Sequence, residues 1–567
     1  MPCEDSREQK KSGNRMALWF LVLILGLVFF FYLTTLSDQL GSLGGDNARY
    51  LLLADALRDG KGYVETERPG SPRHTMYPPL FPVLLAPLRA IEPDGYRLPH
   101  LLIVISALVA VAGFFFLLRQ TFGSLWALLG AALLGLLPVT ARSLLPILSE
   151  LPFLALTLWS LVFWEKHNRR EGGVSFPLIL SCLFASAAFL TRTAGIVLVA
   201  TLVLGAVIRW PFHLGKPLSF MKRTLALGTV LAILVPPAIG WFLWTHQEGA
   251  HHFGYVKQLF SLNPYQPDLG NADALDIANR ALERTSMYLM QVPQIYLEGL
   301  DLGKTKRILG GLILGVLFLL GAGRCIFRPR LWHGYLLLYL TQILVWPWGG
   351  ERFLLPVLPL LTGILLGGGV VLHKVLPCCM PRPAAAAVAA LPITILILGC
   401  IPGWIKFYRV TTRQLEYHGS RSAEYTLDFS SFYEAQQWSK GGIARVRLAV
   451  QAWGDYLAMG RMIAANPRIV MVSCRKPRLL ALTAGIKAEG LPAPAPPEKY
   501  LQRFRRRNIE YIISLRKSFQ PDAAQRAINA MRKRYPEIIR TEYSLENVEL
   551  LRVGSAPGKN GPAISVQ

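Results

Sequence analysis

Acidic residues are scarce in this chain, 35 Asp and Glu against 60 Lys and Arg, which leaves a net charge of +25. Charged residues of both signs make up only 17% of its 567 residues. With 52% hydrophobic residues and a mean hydropathy of +0.36, that scarcity excludes an ordinary soluble protein. Cysteine is also rare. Of seven, Cys474 alone falls on the outer side of the topology derived below, so no outer disulfide framework is expected. Internal repeats are absent, which counts against an alternating-access transporter. A glycine-rich loop follows neither buried strand of the tail, so no nucleotide site is expected there. In THQEGAHH (245–252), His246, Glu248, His251 and His252 lack the His-Glu-x-x-His spacing, and no metal is expected.

What is present is a series of long apolar runs. The stretches 16–36, 98–118, 224–244, 353–373 and 384–405 each supply about 20 uncharged residues, enough to cross a bilayer core. Shorter candidates lie at 122–140, 143–164, 176–191, 194–209, 307–323 and 332–347, which brings the expected count to about eleven spans. The first run follows Arg7, Lys10, Lys11 and Arg15, but it is too long for a signal-peptide core and no small-x-small cleavage site precedes Asp38. We read it as a retained span behind a cytoplasmic tail, residues 1–15. With the N-terminus inside, eleven spans place Lys166, Arg169 and Arg170, then Arg209, Lys216, Lys222 and Arg223, then Arg324, Arg328 and Arg330, then Lys374 and Arg382 on one side, as the positive-inside rule requires. The other side receives the loops 37–97 and 245–306 and everything from 406. The expected fold is therefore a polytopic α-helical membrane protein, its membrane domain at 16–405, with an extracytoplasmic domain at 406–567.

The most informative outer segment is 44–85, GGDNARYLLLADALRDGKGYVETERPGSPRHTMYPPLFPVLL. Asp46 and Arg49 stand three apart at the start of a helix and are expected to share a face. Gly60 and Gly62 stop that helix, and a loop carrying Arg73 and His74 leads to Tyr77-Pro78-Pro79. The apolar piece 80–91 is expected along the membrane surface. Further charges sit at the outer ends of spans. Glu150 is read as a functional acid or as a capping carboxylate. Arg192 is read as an anion-binding group or a snorkelling arginine, and Arg352 as a phosphate ligand or an interfacial anchor beside Trp346 and Trp348. A helix at about 272–292 has the amphipathic pattern of one lying in the interface.

The tail changes character. RIVMVS (468–473) and IEYIISL (509–515) read as buried strands. Helices are expected at about 430–465, 476–484, 498–507 and 521–534, with a closing strand pair near 541–553. That alternation predicts a small α/β domain with some parallel pairing. Bases outnumber acids there about two to one, which suits anionic lipid headgroups, an acidic glycan or a lipid phosphate, or else a solvated basic surface. Nucleic acid is not expected as a partner on the outer face.

Taken in order, these elements resemble the GT-C superfamily of membrane glycosyltransferases, in particular the branch of protein O-mannosyltransferase-like enzymes and the aminoarabinose lipid A transferase. Asp46-Asn47-Ala48-Arg49-Tyr50 stands where the family often has Asp-Glu-x-x-Tyr, and Tyr77-Pro78-Pro79-Leu80 where it often has Lys-Pro-Pro-Leu. Gly60-Lys61-Gly62-Tyr63, Ser149-Glu150-Leu151-Pro152, Leu190-Thr191-Arg192 and Arg352-Phe353-Leu354-Leu355-Pro356 also look like family elements. The resemblance covers about 16–405 and implies an inverting sugar transfer at the outer face, from a polyprenyl-phosphate donor to a lipid, glycan or protein acceptor. It implies Asp46 as the catalytic acid, with Glu150 as a second candidate. Arg49, Arg192 and Arg352 would serve the donor phosphate, with Arg73, His74 and Tyr77 beside them. Asn47 in place of a second acid weakens the case for a divalent cofactor, and none is expected. The absence of outer disulfides points to a bacterial plasma membrane, with a periplasmic tail. Two other readings stay open at this point: a transporter or flippase for a lipid-linked anion, and a non-catalytic assembly subunit.

Overall fold

The computed structural model describes residues 2–36, 40, 45–169, 173–208, 220–246, 254–264, 269–300, 302–418, 443–492, 494–516 and 523–554. The chain forms two compact units, Met1–Asp38 with His74–Val410, and Gln39–Arg73 with Thr411–Gln567. Packing therefore does not divide the chain at 405/406. The outer loop 37–97 is itself split, and its first part belongs with the tail.

The first unit is helical throughout its apolar stretches, and the protein is an integral membrane protein. Among the described residues, six helices are long and apolar enough to cross a bilayer: Asn14–Leu33, Arg97–Phe122, Thr224–Thr245, Lys304–Phe327, Leu358–Cys378 and Arg382–Ile405. A seventh arises if the pair Ser124–Leu136 and Pro138–Leu144, bent by 52°, makes one span. The other expected spans are helices too, but Phe176–Thr191, Thr193–Val207 and Leu331–Val345 fall short of the roughly 20 residues a lone span needs. Eleven is thus the number of apolar segments and not of full-length spans. The expected span 143–164 is corrected: Pro138–Leu144 ends before Pro146, and a new helix runs Glu150–Asn168. Proline at 146 cannot continue the first helix, whereas Pro152 is tolerated in the first turn of the second. Leu80–Ile91 is a helix.

The bend shows how this bundle treats freed backbone groups. Pro138 has no amide hydrogen, so carbonyls in the preceding turn lose helical donors. In the membrane each orphan needs a partner inside the protein. Thr140 Oγ1 donates to Leu134 O at 2.8 Å, Tyr32 OH to Gly135 O at 3.0 Å, and Trp404 Nε1 to Leu136 O at 2.9 Å. The Tyr32 and Trp404 rings also stack, with centroids 5.9 Å apart. Two side chains from the first and last apolar spans thereby fasten those spans to the bend.

In the second unit the sheet order is β2-β1-β3-β5-β4, with β1 Met471–Cys474, β2 Lys487–Gly490, β3 Tyr511–Leu515, β4 Ile539–Ser544 and β5 Val548–Val553. The β1 strand pairs parallel with β2 and β3, and β5 pairs antiparallel with β3 and β4. The α/β expectation holds. The β2 strand was not foreseen, because KAEG has neither alternation nor β-branched residues. Helices run Ile443–Ala464, Pro477–Ala484, Pro497–Arg506 and Ala523–Arg534; the part of the expected 430–465 helix before 443 lies outside the described residues. Helix Gly45–Arg58 packs on helix Pro477–Ala484. The loop after it forms a bridge between Val64 and Arg73, and Ala488 of the edge strand β2 donates its amide to Glu67 O at 3.1 Å. That bond occupies part of an edge that would otherwise invite pairing with another chain.

Tyr32→Phe keeps the ring and removes only the donor. We expect it to lower the stability of the detergent-solubilised protein by about 1 kcal/mol. Trp404→Phe, which also takes away the five-membered ring of a buried indole, should cost more. Thermal unfolding of both variants checks this; unchanged midpoints would mean that the Gly135 and Leu136 carbonyls do not depend on these donors.

Candidate active site

Glu150 opens its helix, where the positive end of the helix dipole favours a carboxylate. It is buried, and desolvation of that charge must be offset by cations. Two arrive from distant segments. Arg192 holds an extended conformation between helix Phe176–Thr191 and the turn Thr193–Gly195. Gly195 has no alternative there, since a Cβ would lie 2.6 Å from the Phe189 backbone. Arg192 Nη1 lies 2.7 Å from Glu150 Oε1 and donates to Ser149 Oγ at 3.2 Å. Arg352, in the short helix Glu351–Leu354, donates from Nε to the same Oε1. Glu150 Oε2 is buried without a hydrogen-bond partner. The side chains of Arg192 and Arg352 are 15% and 38% exposed.

The sequence reading missed the neighbouring group. Arg142, buried in the second half of the bent pair, donates from Nη1 to both Glu298 oxygens at 2.6 and 2.7 Å, and from Nη2 to Glu351 at 2.8 Å. Glu351 and Arg352 are adjacent, so one short helix serves both groups. An arginine inside PVTARSLL was the available signal, since a charge in an apolar run is expensive unless it has a task.

The turn before Arg352 is held from outside. Gly350 has φ +133°, which a side chain would strain. Helix Ala274–Leu297, started by the Asp273/Asp276 capping box, supplies two arginines. Arg284 Nη2 donates to Pro347 O at 2.6 Å, and Arg280 to the carbonyls of Leu259, Ser261 and Val345. This amphipathic helix therefore positions the tryptophan turn. His74 is buried in the 74–77 turn, where its Nε2 accepts from the Tyr77 amide at 2.9 Å. Its carbonyl accepts from Trp244 Nε1, also at 2.9 Å. His74 and Tyr77 shape this turn together, with ring centroids 5.2 Å apart.

Asp46, Arg49 and Arg73 belong to the second unit. Asp46, 34% exposed, lies at the start of helix Gly45–Arg58 with Arg478 Nη1 3.8 Å away. Arg49, three residues on, reaches into the loop that follows the helix. Its guanidinium is buried between Glu65 at 3.0 Å and Glu67 at 2.6 Å. Glu67 is itself buried and needs that cation. Arg73 is exposed beside its bridge to Val64. Among the described residues, no three His, Cys, Asp or Glu side chains are grouped to hold a metal. His246 stacks on Phe242 with centroids 4.0 Å apart, while Glu248, His251 and His252 lie outside the described residues.

Arg192 and Arg352 meet on one carboxylate and both stay partly exposed. Arginine in that setting suits a phosphate, which its planar fork can grip with two bonds.

No family model matches the sequence, and no curated protein matches it. Among solved structures, ArnT from Cupriavidus metallidurans in the apo state aligns with TM-score 0.51 and 14% identity, over 95% of this chain and 98% of its own. The same protein bound to undecaprenyl phosphate aligns with TM-score 0.51 and 12% identity, over 95% and 99%. Through this likeness, the chain has the fold of ArnT.

Proposed function

We propose that the protein is an inverting glycosyltransferase that moves a sugar from a polyprenyl-phosphate donor to an acceptor at the outer face of the membrane. The observation that carries this reading is the pair Arg192 and Arg352 on Glu150. It is supported by the shared fold and by a neighbour whose structure holds undecaprenyl phosphate. The arginines bind the donor phosphate and stabilise the charge it gains as the glycosidic bond to its oxygen breaks. Stabilising charge that develops on the leaving group is typically the largest catalytic contribution. Glu150 acts through them: a carboxylate committed to two guanidiniums is a poor base, so its task is to position them. Asp46 keeps the role the resemblance implies, taking the acceptor hydroxyl's proton as the new bond to carbon forms. The bacterial plasma membrane, with the tail periplasmic, is part of the same proposal.

The test uses purified protein, a panel of polyprenyl-phosphate sugars and a membrane extract as acceptor. Asp46→Asn is expected to lose about 10²–10⁴ in kcat with donor binding retained, the range of a general base. Arg352→Gln should lose about 10²–10³ in kcat/KM. If the wild type binds lipid phosphates yet consumes no donor, the enzyme reading fails. Arg49→Ala serves as a contrast. It strands Glu67 without its cation, so we expect a stability loss of about 3 kcal/mol, read by thermal unfolding, with kcat preserved in the folded fraction.

A further inference from the structure

Two helices of the second unit pack side by side on one face of the sheet, and their outward surfaces are almost entirely basic. Tyr500, Leu501 and Phe504 of helix Pro497–Arg506 share a core with Ile528 and Met531 of helix Ala523–Arg534, over Ile512, Ile539 and Leu551. Gln525 and Ala527 are also buried, and most of the remaining side chains face outward. Each helix contributes four bases: Lys499, Arg503, Arg505 and Arg506 from the first, and Arg526, Arg532, Lys533 and Arg534 from the second. Glu498 is the single acid in the two helices. Such a concentration works against the fold through self-repulsion and contributes nothing to the core. Beside it, a cavity of about 610 Å³ opens between Asn529, Lys533, Arg540 and Thr541. Of the bases at its edge, Arg532 is committed to the buried Glu549, at 2.6 Å, and to Thr541. Lys533 and Arg540 carry exposed positive charge at its rim.

We propose that this two-helix face is a docking surface for the anionic headgroups of the bilayer, with Lys533 and Arg540 taking one headgroup phosphate in the cavity. Charge complementarity selects an anion, and three observations favour lipid. The unit belongs to an integral membrane protein and is tethered to it through the chain that follows helix Arg382–His418, which raises the effective concentration of headgroups around it. Paired helices roughly 15 and 18 Å long offer a broad face rather than a groove. Long basic stems can also lie along an interface while their charges meet phosphate. The proposal does not depend on the transferase reading, because it concerns residues remote in sequence from both the arginine cluster and Asp46.

The experiment places the full-length protein in nanodiscs of phosphatidylcholine alone or mixed with phosphatidylglycerol. Cys3, Cys325, Cys378 and Cys379 are changed to Ser, and a nitroxide is attached at Gln502→Cys or Ala530→Cys, both exposed on the outward face. Collision of the nitroxide with nickel-chelating lipid reports contact with the headgroup layer. Collision is expected to rise on the order of tenfold with the anionic lipid and to fall back in high salt. Lys533→Gln with Arg540→Gln should weaken that rise. Equal collision rates in the two lipid mixtures would overturn the proposal. So would immobilisation of the label by a soluble acidic polysaccharide with no response to lipid. Because the decisive comparison uses one protein in two lipid mixtures, a variant that folds poorly does not blur it.

Discussion

A carboxylate inside an apolar bundle must find positive charge, and the membrane unit is arranged around that requirement. Glu150 takes Arg192 and Arg352 from segments far away in sequence, and Arg142 in turn takes Glu298 and Glu351. Three short, irregular pieces are fixed by these bonds: the break before Glu150, the turn at Arg192 and the tryptophan turn before Arg352. Buried ion pairs are a weak source of stability, since well-packed apolar residues of similar size often do as well. A cluster that costs desolvation while returning little stability is better explained by what it binds. Two arginines held on one carboxylate stay partly exposed, and phosphate is the ligand that their planar guanidiniums suit.

The backbone obeys the same rule. A proline at 138 costs hydrogen bonds that water would replace in a soluble protein. Inside a bilayer only other protein groups can do so, and here Thr140, Tyr32 and Trp404 do. The apolar segments were legible in the sequence because their signal is local and strong. How many cross the membrane at full length was not, because that depends on breaks such as Pro138 and Pro146, whose effect is set by neighbours the sequence does not show. In the tail, β1 and β3 were legible as buried apolar runs, whereas β2 owes its conformation to pairing with β1 and carries almost no signal of its own.

The site was legible in part, for a similar reason. Charges in apolar surroundings stand out, so Glu150, Arg192 and Arg352 were recognised one by one, and the structure brings them together. What a sequence cannot display is which charge answers which. Asp46 and Arg49 have the spacing of partners on one helix face, yet Arg49 turns to Glu65 and Glu67 in the following loop, and Arg478, more than 400 residues away, is the cation beside Asp46. Arg142 was overlooked because it stands at the junction of two expected spans, 122–140 and 143–164, and its glutamates lie in other segments.

The division into units changes how the tail is understood. The family resemblance stops near residue 405, which suggests an appendage. The segment carrying Asp46 nevertheless packs with the tail: its helix lies on Pro477–Ala484, its loop hydrogen-bonds to the edge strand β2, and Arg478 stands beside the acid itself. The arginines proposed to hold the donor phosphate belong to the other unit. A change in the tail can therefore reach Asp46 through helix Gly45–Arg58.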